Sequence, residues 1–261
     1  MSTPPSLIPA ATILLLRDGA AGLEVFMVKR HHQIDFASGA LVFPGGKLAA
    51  GDSDARIQGL CDGAAAIGAA LLPYAAAAIR EAFEESGILL ARKTGQTALL
   101  SAAEASALAP FRPKLDKGEI GLAEFLIEHD LRLACDQLVR FAHWITPAFM
   151  PKRFDTQFFA AVAPKGQLGR HDGGEAVDSV WITPRDATSD PKRWTVIFPT
   201  RMNLQMLSTQ ADAASVMRDF ADRTPPTVEP WIGESGVKKV LLIPPDAGYG
   251  AVEEPLDSLR G

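Results

Sequence analysis

The stretch Arg80-Glu81-Ala82-Phe83-Glu84-Glu85-Ser86-Gly87-Ile88 constrains this chain more than any other. Pro73 suits a first helical turn and Gly87 the left-handed position that ends one, so a helix is predicted over Pro73 to Ser86. At about 100° per residue, with Glu81 set at ~0°, Glu85 falls near ~40° and Glu84 near ~300°. Three carboxylates thus share an arc of roughly 100°. Ile79 and Phe83 land on the opposite side, where they can anchor the helix to a core. Arg80 can pair with Glu84 one turn on. One arginine cannot offset three neighbouring carboxylates. A hard divalent cation, Mg2+ or Mn2+, resolves the conflict because it takes oxygen ligands. Two adjacent glutamates alone would read as a solvated helix face. The full string, ended by Gly87 and preceded by a glycine turn, favours the metal.

Two apolar runs, residues 10–17 and 23–30, flank Asp18-Gly19-Ala20-Ala21-Gly22, the pattern of a β-hairpin. A third run, Ala40 to Phe43, stops at the turn Pro44-Gly45-Gly46. Residues 102–130 read as helical with breaks at Pro110, Pro113 and Gly118. Strands are expected over Phe141 to Thr146, Phe154 to Ala163, Ser179 to Thr183 and Val237 to Ile243, and a helix from about Thr200 to Arg223. The segment from about residue 224 reads as loosely structured. Strands interleaved with helices predict an α/β fold: a mixed sheet with helices packed on it, in one domain spanning 1–261.

Composition closes off other classes. The net charge of −5, with no long basic run, disfavours nucleic acid as a partner. No apolar run reaches the ~18 residues of a membrane helix, so no membrane association is expected. Cys61 and Cys135 form no ligand-spaced pair and read as reduced, packed thiols of a cytoplasmic protein. His31 and His32 lack a partner histidine at ligand spacing and read as surface residues.

The helical string resembles the second half of the Nudix box, G-x5-E-x7-R-E-U-x-E-E-x-G-U with U bulky and apolar: Arg80, Glu81, Glu84, Glu85, Gly87 and Ile88 match, and Ala82 stands in for a U. The first half lies at Phe43-Pro44-Gly45-Gly46-Lys47-Leu48, with Gly46 as the opening glycine and Asp52 where the box has glutamate. About twenty extra residues, roughly 53–72, then split the box. The split, together with Pro151-Lys152-Arg153-Phe154-Asp155-Thr156-Gln157-Phe158-Phe159 and Glu175 ahead of Trp181, resembles the Nudix subfamily that includes a peroxisomal coenzyme A diphosphatase.

That resemblance implies a Nudix-type α/β/α sandwich with helical insertions. It also implies a metal-dependent hydrolase that cleaves the diphosphate linkage of a nucleotide-like small molecule. Carried over by position, Glu84 and Glu85 are metal ligands, and Glu81 is a ligand or the base that activates water. Arg80 holds the glutamates or touches phosphate, the first being favoured. Gly45 and Gly46 bring backbone close to the ligand, and Glu175, ahead of Asp172, is the carboxylate from outside the box. Lys47, Lys152 and Arg153 are candidate phosphate contacts; a solvated turn lysine and an ordinary salt bridge are the plain readings of Lys47 and Arg153. The expected substrate is coenzyme A or an acyl derivative, with ADP-ribose or NADH as the alternative. A nucleotide sensor without catalysis is the rival of another class; keeping Glu81, Glu84 and Glu85 argues against it. An interaction protein finds support only in the proline-rich segment 224–230. A homodimer is compatible with the sequence.

Overall fold

The computed structural model describes residues 5–30, 39–171, 176–236, 238–250 and 252–256. Its main sheet is built on strand β1 (Leu7–Gly19), which turns through Ala20 and Ala21 into antiparallel β2 (Gly22–Arg30). The hairpin is as expected. Its two strands run longer than the apolar segments because edge pairing carries them into the turn. On the other side β1 pairs in parallel with the strand Arg153–Val162, from Leu7 opposite Arg153 to Leu16 opposite Val162. Val139–Ile145 adds antiparallel to that strand, Thr227–Val228 adds parallel to Val139–Ile145, and Ala176–Ile182 pairs with β2. The sheet is mixed.

Both of its faces are covered. Ala11, Ile13 and Leu15 of β1 point into one core with Phe26, Phe159 and the helix Leu72–Ser86; Leu14 and Leu16 point into another with Met27, Phe158 and Phe198. A strand buried on both faces has no reason to alternate, hence the unbroken Ile13-Leu14-Leu15-Leu16. The second core is closed by helices Pro184–Ser189, Phe198–Leu207 and Ala213–Phe220. The single helix expected from Thr200 to Arg223 is therefore two, and Asp212 caps the second by accepting from the Ser215 N–H at 2.7 Å.

The first core is closed by the helix Leu72–Ser86 and by short helices between Ala102 and Glu128, with Phe83 stacked on Phe125 at 5.7 Å between centroids. The insertion packs against this layer. Its residues form 3-10 turns over Ala50–Ser53 and Ala55–Leu60, the strand Cys61–Asp62 and the helix Ala64–Ile67. Cys61–Asp62 joins Leu131–Ala134 and Ala91–Lys93 in a small sheet that the sequence reading missed. Arg56 bridges Asp54 and Glu124, and Asp62 takes Arg132 at 2.6 Å and Arg92 at 3.2 Å, so charged pairs moor the excursion.

The segment from 224, expected to be loose apart from a strand over Val237 to Ile243, carries four short strands among its described residues, the expected one (Lys238–Leu242) included. Thr227–Val228 joins the main sheet, and Trp231–Ser235, Lys238–Leu242 and Glu253–Pro255 form a sheet of their own. Leu241 and Ile243 enter the second core, which supplies the burial that the prolines concealed.

Candidate active site

Strands β3 (Leu41–Val42) and β4 (Gly45–Lys47) carry the glycine turn across the sheet: β3 pairs with β2, and β4 pairs with β1, setting Gly46 opposite Ala11. The Gly45-Gly46 pair is thus strand rather than bare turn. Its place over β1 faces it to the helix Leu72–Ser86, whose small residues Ala75, Ala78 and Ala82 allow close approach to the sheet. The N–H of Gly45 donates to Glu85 Oε2 at 3.2 Å. A Cβ on Gly46 would stand 2.4 Å from Glu81 Oε1. The two halves of the split pattern therefore meet.

The helix ends as the sequence requires. Gly87 adopts φ +73° and its N–H donates to the Phe83 carbonyl at 2.8 Å. What the helical arc did not reveal is burial. Arg80, Glu81, Glu84 and Glu85 are 7 %, 9 %, 6 % and 8 % exposed, and Asp52 is 1 % exposed. All five guanidinium N–H bonds of Arg80 are spent. Nε and Nη2 hold Asp52 in a fork at 2.8 and 2.9 Å. Nη1 reaches Glu81 Oε1 at 2.9 Å and Glu84 Oε2 at 2.7 Å, and Nη2 also meets the Lys47 carbonyl at 3.0 Å. Asp52 is aimed by the Ala49 N–H at 2.7 Å. Every Arg80 donor is thus engaged within the cluster, tying Asp52, Glu81 and Glu84 to the Lys47 carbonyl.

Asp52, whose place could not be read across the insertion, lies at the centre of this cluster. Its position in the first half of the box was the signal; the 27 intervening residues hid the geometry. Burial works against the Arg80 charge, but the hydrogen bonds it donates to Asp52 and the charges of Glu81, Asp52 and Glu84 outweigh it and hold the pKa above its usual value. Burial pushes Glu84 up to about 8; Arg80 opposes this, while Glu81 and Asp116 add to it. Glu84 Oε1 is buried with no hydrogen-bond partner. The sign follows. Metal-free, Glu84 is protonated at neutral pH, and its folded pKa exceeds the ordinary 4.5. Its contribution to stability is complete below pH 4.5 and is lost as pH rises through about 8.

Other expected residues are placed differently. Lys47 is exposed at the rim. Arg153, expected as a phosphate contact, is 7 % exposed; its Nε donates to the Thr146 carbonyl at 3.0 Å and its Nη2 to Glu229 Oε1 at 2.6 Å. It ties the sheet to the C-terminal segment through an ordinary salt bridge with Glu229. Asp155 meets His143 Nε2 at 2.6 Å. Glu175, Asp172, His31 and His32 lie outside the described residues. Cys61 and Cys135 are buried and free.

The two glycines separate fold from site. A Cβ on Gly45 would meet the Ala11 carbonyl oxygen at 2.6 Å and Thr12 Cα at 2.8 Å, which are backbone and cannot yield. On Gly46 the nearest atoms belong to the Glu81 carboxylate, a side chain rather than backbone. Gly46→Ala is expected to fold with a near-native melting temperature while losing roughly tenfold or more in turnover, because small displacements of catalytic groups are costly. Gly45→Ala is expected to destabilise the protein. Thermal melts beside rate measurements check both.

Hard oxygen donors, one of them buried and unpaired, and a surplus of negative charge around one arginine fit a divalent cation. Among the described residues, no three Asp, Glu, His or Cys side chains converge tightly enough to hold an ion by themselves.

The NUDT19 Nudix domain matches residues 62–200 of this sequence. The chain belongs to that family. A Nudix hydrolase from Alicyclobacillus acidocaldarius has a similar structure, with a TM-score of 0.70 and 27 % identity over 82 % of this chain and 96 % of that one. A Caenorhabditis elegans relative, named as nudix hydrolase 7, is 26 % identical over 167 residues, 64 % of this chain. The match spans only about half of that relative, 49 % of its length. The Nudix fold accounts for the mixed sheet and for the helix laid across it, and no helix among the described residues is long and apolar enough to cross a membrane.

Proposed function

We propose that this Nudix protein, read as one domain with an excursion at 53–72, hydrolyses the diphosphate linkage of a nucleoside-diphosphate-linked compound. The observation that carries this is the buried group of Asp52, Glu81, Glu84 and Glu85 around a single arginine, with Glu84 Oε1 left unpaired. Glu84 and Glu85 are the proposed ligands. Glu81 is a ligand or the base that takes a proton from water. Asp52 and Arg80 hold these side chains at a fixed bearing, and the Gly45-Gly46 backbone forms the near wall. Bound Mg2+ or Mn2+ would offset diphosphate charge and lower the pKa of an attacking water.

Loading the cation should also reverse the pH trend of the metal-free protein. The melting temperature gained from Mg2+ is expected to be small at pH 6 and larger at pH 8.5, because binding at lower pH must first displace the Glu84 proton. A gain independent of pH would count against Glu84 as a ligand.

Coenzyme A or an acyl derivative is the proposed substrate. The split box and the Pro151 to Phe159 segment favour that branch, as does the match to the NUDT19 Nudix domain. With Arg153 engaged by the Thr146 carbonyl and Glu229, Lys47 and Lys152 are left as the candidate contacts for the extra phosphate. The test is a set of coenzyme A, dephospho-coenzyme A, ADP-ribose and NADH with Mg2+ or Mn2+, the products being identified by mass. Coenzyme A should give 3′,5′-ADP and 4′-phosphopantetheine, and more efficiently than its dephospho form gives the corresponding products. Brisk hydrolysis of ADP-ribose or NADH with none of coenzyme A would transfer the assignment to a dinucleotide substrate.

A further inference from the structure

The last turn of the glutamate helix is fastened to a distant loop through one side chain. Arg112 opens the short helix Arg112–Asp116, which packs beside Leu72–Ser86. Its Nε donates to the carbonyl oxygen of Glu84 at 3.0 Å, and its Nη2 to the carbonyl oxygen of Arg170 at 3.1 Å. The Arg170 N–H in turn donates to the Ser86 carbonyl at 2.7 Å, which closes a ring of contacts around the helix end. Gln167, on the same loop, accepts from the Leu89 N–H at 2.8 Å and donates to the Leu100 carbonyl at 2.9 Å.

The carbonyls of a helix's last turn lack intrahelical partners and carry partial negative charge. The Gly87 N–H satisfies that of Phe83, so the Glu84 carbonyl takes its donor from outside the helix, from Arg112. A Cβ at Gly87 would stand 3.3 Å from Arg112 Nη1, so the glycine leaves room for the guanidinium as well as adopting a positive φ. The carbonyl that Arg112 holds belongs to Glu84 itself.

We propose that Arg112 is a positioning residue for the metal-binding stripe: it fixes the backbone at Glu84 and locks it to the loop 164–171, so that the Glu84 and Glu85 side chains keep their bearing. This rests on the metal-site reading above. Geometry is the operative property, because a guanidinium presents two N–H arms in a rigid fork and an ammonium does not.

The experiment measures Mn2+ binding by electron paramagnetic resonance, without substrate, in the wild-type protein, Arg112→Ala, Arg112→Gln and Arg112→Lys. Losing an outer support of a ligand typically weakens metal affinity about 10- to 100-fold. Arg112→Ala and Arg112→Gln are expected to bind Mn2+ at least about tenfold more weakly while melting as folded proteins, and the glutamine keeps the side-chain stem should alanine fail to fold. Arg112→Lys should recover only a minor part. Added guanidinium ion, at tens of millimolar (roughly), should restore Arg112→Ala, a rescue that a bulk packing defect would not show. Mn2+ affinity within about twofold of wild type in the alanine and glutamine variants overturns the proposal, and so does full recovery by lysine, which would reduce Arg112 to a charge near a helix end. A wild-type protein that binds no Mn2+ removes the metal-site reading and this inference with it.

Discussion

Glu84→Gln and Glu85→Gln should each yield a folded protein whose kcat has fallen by roughly two orders of magnitude or more, since each removes an oxygen ligand from a hard cation. The fold should survive for a specific reason. Metal-free Glu84 is already neutral near pH 7, so the amide reproduces its charge, and an amide oxygen can still accept from Arg80 Nη1. Glu85 accepts from the Gly45 N–H, a role its amide oxygen can also fill. The substitutions therefore separate ligand chemistry from stability. Measured at saturating Mg2+ beside thermal melts, either variant retaining more than about a third of wild-type kcat would sink the proposed metal stripe.

Arg80→Met is expected to act on stability instead. Asp52, Glu81 and Glu84 lose their common partner inside a buried cluster, and deleting one member of a buried ion pair typically costs about 3–5 kcal/mol. Glu84 can relieve part of this by staying protonated; Asp52, at 1 % exposure, is the more costly orphan. Urea unfolding should show the loss, and Mg2+ should recover a fraction of it by taking over charge that Arg80 had balanced. Arg80→Lys should remain well below wild type, since three donors on one nitrogen cannot replace five spread over a planar fork. A methionine variant within about 1 kcal/mol of wild type would mean that the cluster does not depend on its arginine.

The local rules carried much of this architecture into the sequence. Apolar runs around Asp18 to Gly22 announced the first hairpin, and Pro73 with Gly87 marked the ends of the glutamate helix. The arc placed Glu81, Glu84 and Glu85 together but was silent on depth, because helical periodicity separates faces without saying what covers the polar one. Here Asp52 and the Gly45-Gly46 backbone do so, and they arrive from far along the chain. Arg112 left no signal at all: it holds Glu84 and Arg170 through their backbone carbonyls, which every residue has. Short strands such as Leu131–Ala134 and Trp231–Ser235 escaped for a different reason, being too brief for a period to show.

The parallel pairing of β1 with Arg153–Val162 bears on how the chain comes to be made. During synthesis the hairpin Leu7 to Arg30 can form at once, yet the far edge of β1 has no partner before residue 153 has emerged. Along Leu7 to Leu16 the backbone groups of alternate residues thus wait open, and the Ile13 to Leu16 run is apolar on both faces. Exposed edges of this kind template pairing between molecules, and long-range parallel contacts are slow to close. Expression level and temperature should therefore govern the soluble yield of this protein more strongly than its final stability does. A nascent chain released before residue 162 should be the form most prone to aggregate.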